Sequence, residues 1–170
     1  MDRRHFVLTG AGALALTGCA GQLETFTSLK DARQRVLNLG FGEPKLQHES
    51  WSLSQLLQHL AQSVEYSMAG YPEMKNAVFR AVIGNAAFAV FNARGAMSHS
   101  LTEPIPGAPA LNPNTLVKDS MHRLIDALAA FEAWGGPLKP HFAYGALDKE
   151  QYTRAHLMHL ANHWTQIKSK

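Results

Sequence analysis

Apolar residues recur at three- and four-residue spacing along most of this chain, and glycine and proline divide the recurrence into segments, so the chain can bury its apolar surface only as packed helices. Leu53, Leu56, Leu57, Leu60, Val64 and Met68 form one stripe, opened by the capping-box pair Ser52 and Gln55 and stopped by Gly70 and Pro72. A second stripe, Val117, Met121, Leu124, Leu128 and Phe131, resumes near Asn114 and closes at Gly135-Gly136-Pro137. The last helix opens at Asp148, paired with Gln151, and runs to about Ile167. Between Pro72 and about Phe91, the residues Val78, Phe79, Val82, Ile83, Ala86, Ala87 and Val90 predict a further helix with its apolar side in the core. Leu29, Ala32, Val36 and Leu39 predict a shorter first helix, ended by Gly40, Gly42 and Pro44. Four of the eight prolines fall in residues 99–113, which therefore form a long connection, read as a crossover between helices rather than a lid over a site. No alternating strand pattern and no repeat interrupts this. The expected fold is an all-α four-helix bundle with the short first helix packed outside.

Composition narrows the chemistry. Sixteen Lys and Arg against 13 Asp and Glu give a net charge of +3 in 170 residues, and no basic run extends beyond Arg3-Arg4, so nucleic acid is not an expected partner. One cysteine, Cys19, permits no intrachain disulfide and no cysteine-based zinc site. A metal site would have to draw on the nine histidines and the carboxylates.

Residues 1–18 have the layout of an export signal. Arg3-Arg4 resembles the twin-arginine pattern, and an uncharged stretch of about 13 residues follows, short of the roughly 20 that span a bilayer. Leu16-Thr17-Gly18-Cys19 resembles a lipoprotein cleavage box, which makes Cys19 the expected lipidation site and residues 19–170 the mature helical domain. The implied location is the cell envelope on the periplasmic side, anchored to membrane through the lipid. Oligomeric state is left open, a homodimer included.

The last helix carries His156, His159 and His163 within an arc of about 60° at 100° per residue, beside Tyr152, Leu160 and Ile167, with Glu150, Arg154 and Lys168 pointing away. His159 and His163, four apart, can converge on one cation, and a neutral imidazole suits zinc, nickel, iron or copper. His59, at the margin of the early leucine stripe and beside Ser63, supplies the third ligand from another helix. Three histidines leave an open position for water or a small-molecule substrate. His156 is left over, either as a proton-transfer group near the metal or as a buried histidine bonded to a loop. His141, in a Pro-flanked turn, either approaches the site from its rim or is a loop histidine in water, the latter being the expectation, and His48, His99 and His122 are expected on the surface. Tyr66 and Tyr152 are expected to pack rather than act as acids, and Trp51, Trp134 and Trp164 to anchor core or helix ends.

The runs His156-Leu-Met-His159-Leu-Ala-Asn-His163-Trp-Thr-Gln166-Ile167 and Trp51-Ser-Leu-Ser-Gln-Leu-Leu-Gln-His59-Leu-Ala resemble the DinB-like superfamily of metal-binding four-helix bundles. Within it the chain is most similar to the domain-of-unknown-function family 1569, through Trp51-Ser-Leu, Tyr66-Ser-Met-Ala-Gly70-Tyr-Pro, Pro106-Gly-Ala-Pro109 and His141-Phe-Ala-Tyr-Gly145, from about residue 25 onward. The resemblance implies a bundle holding a divalent metal through His59, His159 and His163. Asn162 departs from a pattern that often has another histidine there. Superfamily members include metal-dependent transferases of small thiols and presumed hydrolases, so the resemblance implies either an enzyme of that kind or a non-catalytic metal- or ligand-binding module of the envelope. No Glu stands beside the ligands of the last helix, which favours the module.

Overall fold

The computed structural model describes residues 25–42, 44–46 and 51–168. The expected signal peptide, Cys19 and His48 lie outside the described residues. Six α-helical stretches appear in chain order: α1 Leu29–Asn38, α2 Leu53–Ala69, α3 Ala77–Phe79, α4 Asn85–Arg94, α5 Val117–Ala133 and α6 Lys149–Trp164. A π turn, Arg80–Gly84, joins α3 to α4 into one helical segment. Among the described residues no helix is long and apolar enough to cross a membrane.

The helices begin where local chemistry starts them. Ser52 Oγ accepts from Gln55 N–H while Gln55 returns its side-chain oxygen to Ser52 N–H, and Asp148 and Gln151 do the same for α6. Both caps stand where the sequence predicts them. Gly70 ends α2 at φ 106°, a conformation that disfavours any side chain. The α6 helix stops at Trp164, and Ile167–Lys168 then pairs antiparallel with Lys45–Leu46, a two-residue tie too short for periodicity to reveal.

The core is all helical. Leu56, Leu57 and Leu60 of α2, Leu124, Leu128 and Phe131 of α5, and Tyr152 and Leu160 of α6 are fully buried against one another. Ser54 and Ser120 share a hydrogen bond of 2.8 Å across the α2–α5 seam, which satisfies two buried hydroxyls. On the surface, Arg123 makes two bonds of 2.8 and 2.7 Å to the Glu65 carboxylate across the same pair of helices.

The first and third expected helices exchange roles. Helix α1 packs against α5 and α6, with Ala32 and Val36 fully buried, and so belongs to the bundle rather than its outside. The segment 77–94 instead leaves Val78 74%, Val82 62%, Ile83 57% and Val90 51% exposed. It turns Gly84 and Phe88 inward, and a Cβ on Gly84 would stand 1.8 Å from the Ala143 carbonyl oxygen. That close approach pins the segment to the 141–145 turn. Apolar residues occupy both sides of this segment, so periodicity could not choose the buried one.

Candidate metal centre

His59 projects from the middle of α2, and His159 and His163 from successive turns of α6. One ligand nitrogen from each lies within 4.8 Å of the others, so the three can hold a metal ion together. His59 Nε2 stands 3.2 Å from His159 Nε2. Nitrogens this close either share a proton or turn their lone pairs to a common cation. His59 and His163 are buried, and His159 is half-buried. Trp51 roofs the group, its ring 5.0 Å from that of His59 and stacked within 10° of His163 at 6.4 Å.

The donor set fits a divalent transition metal. His59 Nδ1 and His163 Nε2 are buried without a hydrogen-bond partner. Leaving such a group unpaired costs about 1–3 kcal/mol, and a cation would remove that cost for each nitrogen that ligates it, one per ring. The outer nitrogens have partners: His159 Nδ1 lies 3.1 Å from Ser63 Oγ, and His163 Nδ1 accepts from the Gln166 amide nitrogen at 3.1 Å, so the amide must turn its oxygen to Nδ1 for His163 Nε2 to present a lone pair to a metal. Partners of this kind fix ring orientation and leave the opposite nitrogen facing the site. Desolvation lowers His59 to about 4 and His163 to about 2, and pushes His159 well below its ordinary range. At neutral pH all three rings are therefore uncharged, the state a metal requires.

A cavity of about 310 Å³ adjoins the triad, reaching His59, Ser63 and His159. Phe79, Met97, Ile105 and Phe142 give it apolar walls, and Lys75 and Glu103 add one charge of each sign. The 99–113 connection thus does more than cross over, because it supplies His99, Glu103 and Ile105 to the cavity wall. Three glutamines on one face of α2 hold it in place. Gln55, Gln58 and Gln62 donate to the carbonyls of Leu111, Asn112 and Pro109 at 3.3, 2.9 and 3.1 Å, and Gln58 Oε1 accepts from Asn112 N–H at 3.0 Å. Their spacing, three and then four residues, was present in the sequence, but nothing local showed what they would hold.

His156 is 2% exposed and lines the cavity. Its Nε2 lies 3.3 Å from Ser67 Oγ, whose own hydrogen goes to Val64 O at 2.6 Å, so the imidazole donates to the hydroxyl. The partner is on α2 and not in a loop. Burial, with the Lys149 charge adding, lowers His156 to about 3.

Two histidines differ from expectation. His141 is only 9% exposed, because its Nδ1 accepts the N–H groups of Ala143 and Tyr144 at 3.1 and 3.2 Å and its ring stacks on Tyr144 at 4.3 Å. Desolvation lowers it to about 3. His99 is half-buried, its ring 4.9 Å from His159 and 5.2 Å from His163. Both come from loops whose return path is a tertiary matter. His122 is exposed as expected, and Tyr152 is fully buried with its hydroxyl donating to Lys139 O at 2.7 Å.

Comparison with known proteins gives one family, described as "Protein of unknown function (DUF1569)", which matches residues 21–170. No curated protein matches the chain, and no solved structure matches it.

Proposed function

We propose, from the premise that this chain belongs to the DUF1569 family of proteins of unknown function, that it binds one divalent transition metal through His59, His159 and His163 and presents it to a small molecule in the adjoining cavity. The observation that carries this is the three-histidine group whose ligand atoms all lie within 4.8 Å of one another, with His163 Nε2 buried and partnerless. Zinc, nickel or iron suits an all-imidazole donor set. Such an ion, when bound, supplies a Lewis acid that polarises an oxygen or sulfur of the ligand.

The chain's own groups bind and exclude. Phe79, Met97, Ile105 and Phe142 shed water from the body of a small molecule, and Ser63 and Gln166 keep the ligand rings in place. His156 is the candidate for proton transfer, since it lines the cavity. Its lowered pKa, about 3, makes it a weak base at neutral pH and favours a positioning role. The DinB-like resemblance points to hydrolysis or small-thiol transfer as the reaction class. A second reading, a non-catalytic metal- or ligand-binding module, is favoured by one observation: Glu103 is the single carboxylate among the described residues lining the cavity. For location, the proposal is export and anchoring to membrane through a lipidated Cys19 at the envelope, resting on Arg3-Arg4 and Leu16-Thr17-Gly18-Cys19.

The test is calorimetric titration of the chelator-stripped chain with zinc. One ion per chain, abolished in His163→Ala with the helical circular dichroism retained, supports the reading. Equal uptake by wild type and variant contradicts it.

A further inference from the structure

We propose that His99 is an exchangeable fourth ligand of the metal held by His59, His159 and His163, delivered by the loop after α4 and displaced when a small molecule takes that position. This rests on the metal-binding reading above.

Three observations carry it. The ring of His99 stands 4.9 Å from His159 and 5.2 Å from His163, close to the 4.8 to 5.1 Å that separate the triad's own rings. Its Nδ1 is 2.7 Å from the carbonyl oxygen of Ser100, and a carbonyl can only accept, so the hydrogen sits on Nδ1 and Nε2 keeps its lone pair. A backbone carbonyl on one imidazole nitrogen is the usual arrangement where the other nitrogen ligates a metal. Finally, Asn162 on α6 donates to His99 O at 3.5 Å, so the residue preceding His163 ties this loop to the ligand helix.

The same geometry makes the ligand exchangeable. His99 is not in the group whose ligand atoms all lie within 4.8 Å, it comes from a loop while the triad comes from helices, and it lines the cavity beside His59 and His159. A small molecule entering the cavity would meet His99 at the coordination position that the three helical histidines leave open.

Cobalt is the probe, because its visible bands report the ligand set. The full chain is stripped, loaded with Co²⁺, and compared with His99→Ala, with circular dichroism confirming that both are folded. The expected result is that wild type and His99→Ala each take one ion per chain, that the variant binds it at least about tenfold more weakly with shifted visible bands, and that free imidazole restores the wild-type bands. His99→Asn, which keeps a polar loop side chain without an imidazole, should give the same shift. Identical bands and affinity in wild type and His99→Ala would overturn the fourth ligand and leave the three-histidine site standing. A His99→Ala chain that holds no cobalt with or without imidazole would also overturn it, since His99 would then be needed for more than a ligand. Failure of wild type itself to take cobalt would remove the metal-binding reading together with this one.

Discussion

Acid should loosen this protein well above the pH at which its carboxylates titrate. His141 and His156 are buried without a countercharge, and desolvation lowers each to about 3, against about 6.5 in an unfolded chain. Above pH 6.5 both rings are neutral in either state and contribute nothing to pH dependence. Below it the unfolded chain takes up protons that the folded chain refuses, so stability falls as pH falls, until the folded values are reached. Each group then costs about 1.4 kcal/mol per pH unit, and between pH 7.5 and 5.5 the pair removes about 3 kcal/mol from a total of the order of 5–15. In the chelator-treated chain His59 and His163, lowered to about 4 and about 2, act in the same direction. The assay is urea unfolding followed by circular dichroism across that range, because the slope of stability against pH counts the protons taken up. A slope corresponding to about two protons or more near pH 5.5, reduced by about one in His156→Gln, is expected. A stability that does not change from pH 7.5 to 5.5 would refute the reasoning, since the imidazoles would then have to be solvated or charged in the folded chain.

Other perturbations test separate parts of the account. Ser63→Ala removes the hydroxyl beside His159 Nδ1 and should weaken zinc binding about tenfold, read by calorimetry, while leaving one site per chain. Gly84→Ala puts a methyl 1.8 Å from the Ala143 carbonyl, so the 77–94 segment must shift, and thermal unfolding should report a loss of about 1–3 kcal/mol. Leu128→Ala, at a fully buried position of α5, should cost about 2–5 kcal/mol in urea unfolding. Gln58→Ala breaks two bonds to Asn112, and amide hydrogen exchange should show faster opening of residues 109–112 with α2 unchanged.

What the sequence made legible is what local rules govern. Ser52 with Gln55 and Asp148 with Gln151 announce two helix starts because a cap is made within four residues. His59, His159 and His163 come together because periodicity places each on the inward side of a helix that the leucines already orient. His99 and His141 were not legible as buried groups, since a loop residue's surroundings depend on where the loop returns. The 77–94 segment misled for a different reason: valines and alanines lie all round it, and its contact with the 141–145 turn is set by the missing side chain of Gly84 rather than by the largest apolar residues. Helix α1 offers only ten residues and so a weak pattern, although Ala32 and Val36 are fully buried.

Whether His59, His159 and His163 hold one metal is decided by the metal content of the full chain. The chain is exposed in turn to zinc, nickel, iron and copper, freed of excess ion, and measured by mass spectrometry beside the His59→Ala, His159→Ala, His163→Ala triple variant. About one divalent ion per wild-type chain and none in the folded variant is expected. A wild-type chain that stays metal-free with every one of these ions would contradict it, and the three histidines would then be only a polar seam between α2 and α6.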